Sequence, residues 1–139
     1  MAGFSDYLKN EVLDHVFGKG AYTPPTIYVA LSTTEPADDG TNVTEPDSGD
    51  AYVRVETAAS DWSAAGGSYD DGVLKNSEPI EFAEATGAWR TIAYFALYDS
   101  EDDLGSNNML GWGAVTTPKT VGSGDTARFA AEGLEVTIS

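Results

Sequence analysis

This sequence predicts an all-β domain, an antiparallel β-sandwich or jelly-roll-like barrel preceded by one short amphipathic helix. Three observations support that reading. About seven short segments with strand-like patterning follow one another, separated by stretches rich in Gly, Pro, Asp and Asn. No long helical pattern occurs beyond residue 17, so the crossover helices of a parallel, doubly wound sheet have nowhere to form. The length of 139 residues suits one domain, and a composition that is 41% hydrophobic, with 3 Trp, 7 Tyr and 5 Phe, can fill a core. The expected organisation is a single domain over 1–139, with the helical lead in 1–20 and the sandwich in 26–139.

The helix is predicted within GFSDYLKNEVLDHVFG. Phe4, Leu8, Val12 and Val16 recur every four residues with Leu13 and Phe17 beside them, while Lys9, Asn10, Glu11 and Asp14 face elsewhere. Ser5 suits the N-cap, and Asp6 sits at the positive end of the helix dipole. Gly18 and Gly20 stop the helix, and Pro24-Pro25 forces an extended entry into a first strand over 26–32. Residues 33–50 then read as a long polar surface loop.

Residues 51–58 alternate, with Val53 and Val55 on one side and Tyr52, Arg54 and Glu56 on the other, the pattern of a half-buried strand. Glycine and aspartate turns fill 61–76, where Trp62 and Tyr69 are expected to pin the segment to the body. A short strand over 78–83 places Ile80 and Phe82 on one face. Residues 89–98 form the core strand, Ile92, Tyr94, Ala96 and Tyr98 alternating with Ala93, Phe95 and Leu97. After the acidic turn 99–108 come a strand over 109–116, a hairpin at VGSGDT, and strands over 127–131 and 134–138.

Charge restricts function. With 23 acidic and 7 basic residues the net charge is −16, and the basic residues are scattered singly, which excludes a phosphate-binding surface for nucleic acid. So acidic a surface repels itself in dilute solution, but at about 1 M salt the Debye length is only about 3 Å. That excess and the presence of only four lysines point to a halophilic source. The chain lacks cysteine, so disulfides and thiolate chemistry are out. No run approaches the roughly 20 apolar residues of a membrane span, and the first residues do not form a signal peptide.

No catalytic, cofactor-binding or metal site is expected. His15 is the single histidine and lies on the helix with no nucleophile motif near it, so it reads as a surface or interface residue. Asp99, Glu101, Asp102 and Asp103 lack the ligand spacing and distal Glu of an EF-hand. Asp47 with Asp50, and Asp70-Asp71, read as solvated turns. VGSGDT is not a phosphate loop, since no GK[ST] follows. Asn42-Val43-Thr44 fits a glycosylation sequon, which matters only if the chain meets the machinery.

Several segments together carry a family resemblance. They are FSDYLKNEVLDHVFG at 4–18, AYTPPTIYVALSTTEP at 21–36, YVRV at 52–55, PIEFAEATGAW at 79–89, IAYFALYD at 92–99, LGWGAVTTPKTVGSGDTARF at 110–129 and the closing LEVTIS. In order and spacing they resemble a family of small virion proteins of tailed phages and related archaeal viruses, commonly labelled tail fibre proteins. The resemblance implies a virion component on the outer surface of head or tail, made in the host cytoplasm. Implied partners are copies of itself, major capsid or tail proteins and a host cell-surface component; no nucleic acid, membrane insertion or cofactor is implied. The heavily acidic loops depart from the family pattern in the way a virus of a halophilic host would require.

Head decoration or a vertex turret is the favoured role, because a compact domain without repeats or heptads does not build a long fibre. The alternative is a tail-tip or fibre-associated module for host attachment. A carbohydrate-active enzyme would need an acid/base pair that cannot be picked out here. Phe4, Leu8, Val12 and Val16 are the expected interface, since a short helix is marginal alone and must pack on something. Recognition is expected in loops 33–50 and 99–108, and shortening 33–50 is expected to leave the fold intact.

Overall fold

The computed structural model describes residues 3–67, 69–102 and 107–138. Strand β1 (Gly3–Phe4) opens the chain and helix α1 (Asp6–Val16) follows at once. Ser5 caps the helix, its Oγ accepting from the Leu8 amide at 3.1 Å. At the other end Gly18 adopts a left-handed φ of 72°, and the Lys19 amide reaches back to the Asp14 carbonyl at 2.7 Å, as in a Schellman cap. Phe4 therefore belongs to a strand, not to the helical stripe. Gly111 makes its pairing possible, because a Cβ there would stand 2.8 Å from the Gly3 carbonyl oxygen.

Strands β2 (Ile27–Ser32), β3 (Val55–Thr57), β6 (Arg90–Tyr98) and β7 (Met109–Val121) join β1 in a five-stranded antiparallel sheet ordered β1-β7-β6-β2-β3. Strand β4 (Val73–Lys75) pairs with β9 (Glu135–Thr137), and β5 (Ile80–Glu81) pairs with β8 (Arg128–Phe129). The all-β, sandwich-like fold is thus as expected. Strands alternate their side chains, so the large sheet carries an apolar cluster on each face. Val29, Leu31, Phe95 and Leu97 join Phe82, Trp89 and Leu134 on one face; Ala30, Ala96, Tyr98, Met109 and Trp112 form a smaller cluster on the other.

Three local expectations change. Residues 52–55 alternate, but with reversed sides: Tyr52 and Arg54 are buried and Val53 is 61% exposed. The polar side chains go inside because each finds partners there, described below. In β6, Ile92 packs with Phe95 and Leu97 rather than with Tyr94. A bulge causes this, since Ile92 pairs with Lys119 and Tyr94 with Ala114, leaving 115–118 opposite Ala93 alone. VGSGDT is a turn but not a hairpin, because the strand after it pairs with β5 rather than folding back on β7.

Segment 130–134 is held by a buried polar clasp. Asn76, 0% exposed, donates from Nδ2 to the carbonyls of Glu78 and Ala130 and accepts the Leu134 amide at 2.8 Å. All of these side-chain polar atoms are satisfied, so the clasp fixes the segment without leaving an orphan donor.

Candidate functional site

The two acidic loops come together around one arginine. Arg54 donates from Nε and Nη2 to the two oxygens of Glu45 at 2.9 and 2.8 Å, a bidentate pair. Its Nη1 donates to the Ser100 carbonyl and the Asn107 side-chain oxygen at 3.0 and 2.8 Å, and its guanidinium lies 3.7 Å from the centre of the Tyr98 ring. Loop 33–50 supplies Glu45, and loop 99–108 supplies the other acceptors. Burial alone would lower the Arg54 pKa, but the hydrogen bonds and charge of Glu45 more than offset it and hold the cation firmly protonated. Tyr52 adds a third tie by donating to Glu45 at 2.6 Å while accepting the Leu31 amide at 3.0 Å. Burial first and the Glu45 charge second push its phenol well above the ordinary value.

Loop 33–50 is therefore no free coat. Trp112 donates from its indole to Asp38 at 2.9 Å, Ser32 Oγ accepts the Thr44 amide, and the Thr33 amide donates to the Thr44 carbonyl. Excising the loop would strip partners from Arg54, Tyr52 and Trp112, contrary to the expectation that it is dispensable. Asp39 accepts from the Thr41 hydroxyl and amide, which holds its carboxyl below the usual range. Asp47 caps a 3-10 turn by accepting the Gly49 amide, and Asp99 accepts from the Asn108 amide and side chain. Asp103 lies outside the described residues.

The four expected interface residues do not form one surface. Phe4 is half-buried in β1, Leu8 packs on the main core, and Val12 is half-buried. Val16 is 69% exposed, and its apolar neighbours are Leu13 at 56% and Phe17 at 71%. The exposed apolar face of the helix thus runs through Leu13, Val16 and Phe17, spaced i, i+3 and i+4. A helical wheel alone cannot say which part of a broad apolar stripe the core takes. His15 accepts the Tyr22 amide on Nδ1 at 3.0 Å, a helix-end tether. Tyr69 donates to Glu132 at 2.6 Å and is likewise tied down.

Three concavities stand out among the described residues. One of about 550 Å³ is apolar, lined by Leu8, Tyr22, Pro25, Ile27, Trp62 and Val136 among others. Tyr22 there is pushed up to about 12, chiefly by burial and then by the charges of Tyr7, Asp99 and Glu11. A small one of about 150 Å³ sits between Tyr7, Asp38, Asp39 and Asn108. The third, of about 570 Å³, lies between β7 and segment 125–133. Among the described residues no three His, Asp or Glu side chains converge as metal ligands would. No helix among them is long and apolar enough to cross a membrane.

These features describe a small all-β module whose most built-up polar feature holds loops in place. The sequence profile of the family described as Podophage GP4 fiber I protein gp80 matches residues 3–137 of this chain. The chain belongs to that family of phage fibre proteins, and so is a structural component of a virion. No protein of curated function matches it.

Proposed function

We propose that this protein is a fibre-associated module of the viral tail that presents the joined surface of loops 33–50 and 99–108 to the host, and that it acts without catalysis. The carrying observation is the Arg54 node, which ties Glu45 of the first loop to Ser100 and Asn107 of the second and so preorganises the surface around them. Preorganisation of this kind spares ordering entropy on binding. Family membership supports the tail over head decoration or a vertex turret. Copies of the chain assemble through Leu13, Val16 and Phe17, and other virion proteins anchor the assembly. The −16 charge supports a virus of a halophilic host, where screening confines contacts to short range.

Immunogold labelling of virions tests the location directly. Gold at the tail is the expected result, and gold over the head surface would overturn it. Charge reversal at the exposed acids Asp39 and Glu101 should lower host adsorption while leaving incorporation intact. Adsorption unchanged in such virions would leave the loops a solubilising coat.

A further inference from the structure

The groove between β7 and segment 125–133 differs from the other two concavities in charge. Neither of those contains a basic side chain, whereas this one is lined by Lys119 and Arg128. Arg90 stands beside it, paired with the lining residue Val121, so three of the chain's seven basic residues gather at this end of a strongly acidic molecule. Arg128 has a long contact with Glu81 at 3.8 Å, both side chains being at least half exposed, which screens the pair heavily. Lys119 and Arg90 have no carboxylate partner among the described residues. Asp125 is the one acid of the lining and engages the Gly122 amide at 2.8 Å, so the lining carries two basic side chains against one acidic in a molecule with 23 acids, a local balance that favours a negatively charged ligand.

The rest of the lining narrows the chemistry. Thr116, Thr117 and Thr126 present hydroxyls with no protein partner among the described residues, each able to donate and to accept. Phe129 supplies a half-buried aromatic surface, seated against Phe82 and Phe95, and Leu31 and Ile92 form the apolar floor. The β7 bulge spans 115–118 and so contains Thr116 and Thr117, with Lys119 next to it, and bulges commonly re-aim side chains beside binding sites. Free hydroxyls, an aromatic face, the unpaired Lys119 and the loosely paired Arg128 in about 570 Å³ match a ligand that is at once polyhydroxylated, apolar on one face and anionic. We infer that this groove binds a carboxylated saccharide, its carboxylate held by Lys119 and Arg128 and its ring laid toward Phe129 between the threonine hydroxyls. Only the source of that saccharide, a host surface glycan, rests on the attachment reading above.

Titration of the full chain with galacturonate, followed by amide NMR shifts, tests the site. Shifts should centre on Thr116, Thr117, Lys119 and Arg128. Galactose, lacking the carboxylate, and acetate, lacking the ring, should each bind at least about tenfold more weakly, roughly 1.4 kcal/mol. Lys119→Ala should weaken galacturonate about as much while Lys119→Arg retains it. Absence of shifts at the groove, equal shifts with acetate, or stronger binding of a triglutamate peptide would each overturn the saccharide assignment. Virion adsorption separates this claim from the attachment reading. Galacturonate binding lost in Lys119→Ala with adsorption unchanged supports the groove and removes its role in attachment, whereas no binding at all with tail-located, adsorbing virions overturns the groove alone.

Discussion

The two faces of the five-stranded sheet are covered by different physics. On one, Tyr52, Phe82 and Trp89 pack ring against ring, with centroids 5.3 to 6.3 Å apart, and Leu134 closes the layer at 0% exposure. On the other, the cluster of Ala30, Ala96, Tyr98, Met109 and Trp112 is roofed by loop 33–50, which contributes Val43 as apolar contact and otherwise holds by hydrogen bonds that Glu45 accepts from Arg54 and Asp38 from Trp112. The first cover depends on apolar area, which salt does not screen. The second depends on a few directional bonds whose loss leaves buried groups unpaired. A loop as polar as 33–50 can thus be as fixed as a strand when a buried cation gives its carboxylate somewhere to go.

Removing one anchor from each face breaks the comparison most directly. Arg54→Ala should cost about 3–5 kcal/mol, because it leaves the Glu45 carboxylate with Tyr52 but without its cation and takes a donor from the Ser100 carbonyl and the Asn107 side chain. Leu134→Ala should cost about 2–5 kcal/mol through its cavity. Hydrogen exchange should tell them apart: amides of 33–50 and 99–102 lose protection in the arginine variant ahead of global unfolding and keep it in the leucine variant. Equal loosening in both would show that the faces are one cooperative unit.

Salt sharpens the difference next. From dilute buffer to molar KCl the melting temperature should climb steeply as repulsion among the exposed acids is screened. The Arg54 side chain is 3% exposed, so the penalty of Arg54→Ala should persist in molar salt. A flat melting temperature would sink the halophile proposal, and a vanishing penalty would show that the node is solvated.

Alkali addresses the polar face by a different route. Burial, with the Glu45 charge next, pushes Tyr98 up to about 12, and Tyr22 also rises to about 12. Raised phenol values mean that the unfolded chain releases its protons first. The stability these tyrosines contribute is complete below the ordinary phenol value of 10.0 and is lost as pH climbs from there to about 12. Denaturant titrations across that window should show falling stability, with a shallower fall in Tyr98→Phe, which keeps the ring under Arg54. An unchanged slope would show that Tyr98 ionises as it does in the unfolded chain.

The smallest effect concerns the junction leading into this node. Ala51 holds φ 69° between the 3-10 turn and Tyr52, a left-handed conformation that costs a non-glycine residue roughly 1–2 kcal/mol. Ala51→Gly should relieve that strain and, after its own entropic cost, stabilise by at most about 1 kcal/mol in thermal melts. Destabilisation instead would mean that the alanine methyl packs usefully.

Much of this was legible along the chain. The Ser5 cap, the glycine stop after Phe17, the buried pair Ile80 and Phe82, and the apolar run of β6 all follow from spacing, because each depends on residues within a few positions of one another. Fold class followed from the same local order, because short alternating segments with turn chemistry between them can become little other than antiparallel sheet; the family came from the likeness of whole segments, not from their periodicity. What only the tertiary structure decided involves partners far apart in sequence. The side on which Arg54 lies depended on Glu45 and on Ser100, 46 residues away, and the Ile92 face depended on four residues of β7 that bulge opposite it. The part of the helix left bare depended on which side the core took, and the groove shared by Lys119 and Arg128 on how segment 125–133 lies along β7. Periodicity records whether a residue can be buried; whether a charged or polar one is buried depends on a partner that local spacing does not specify.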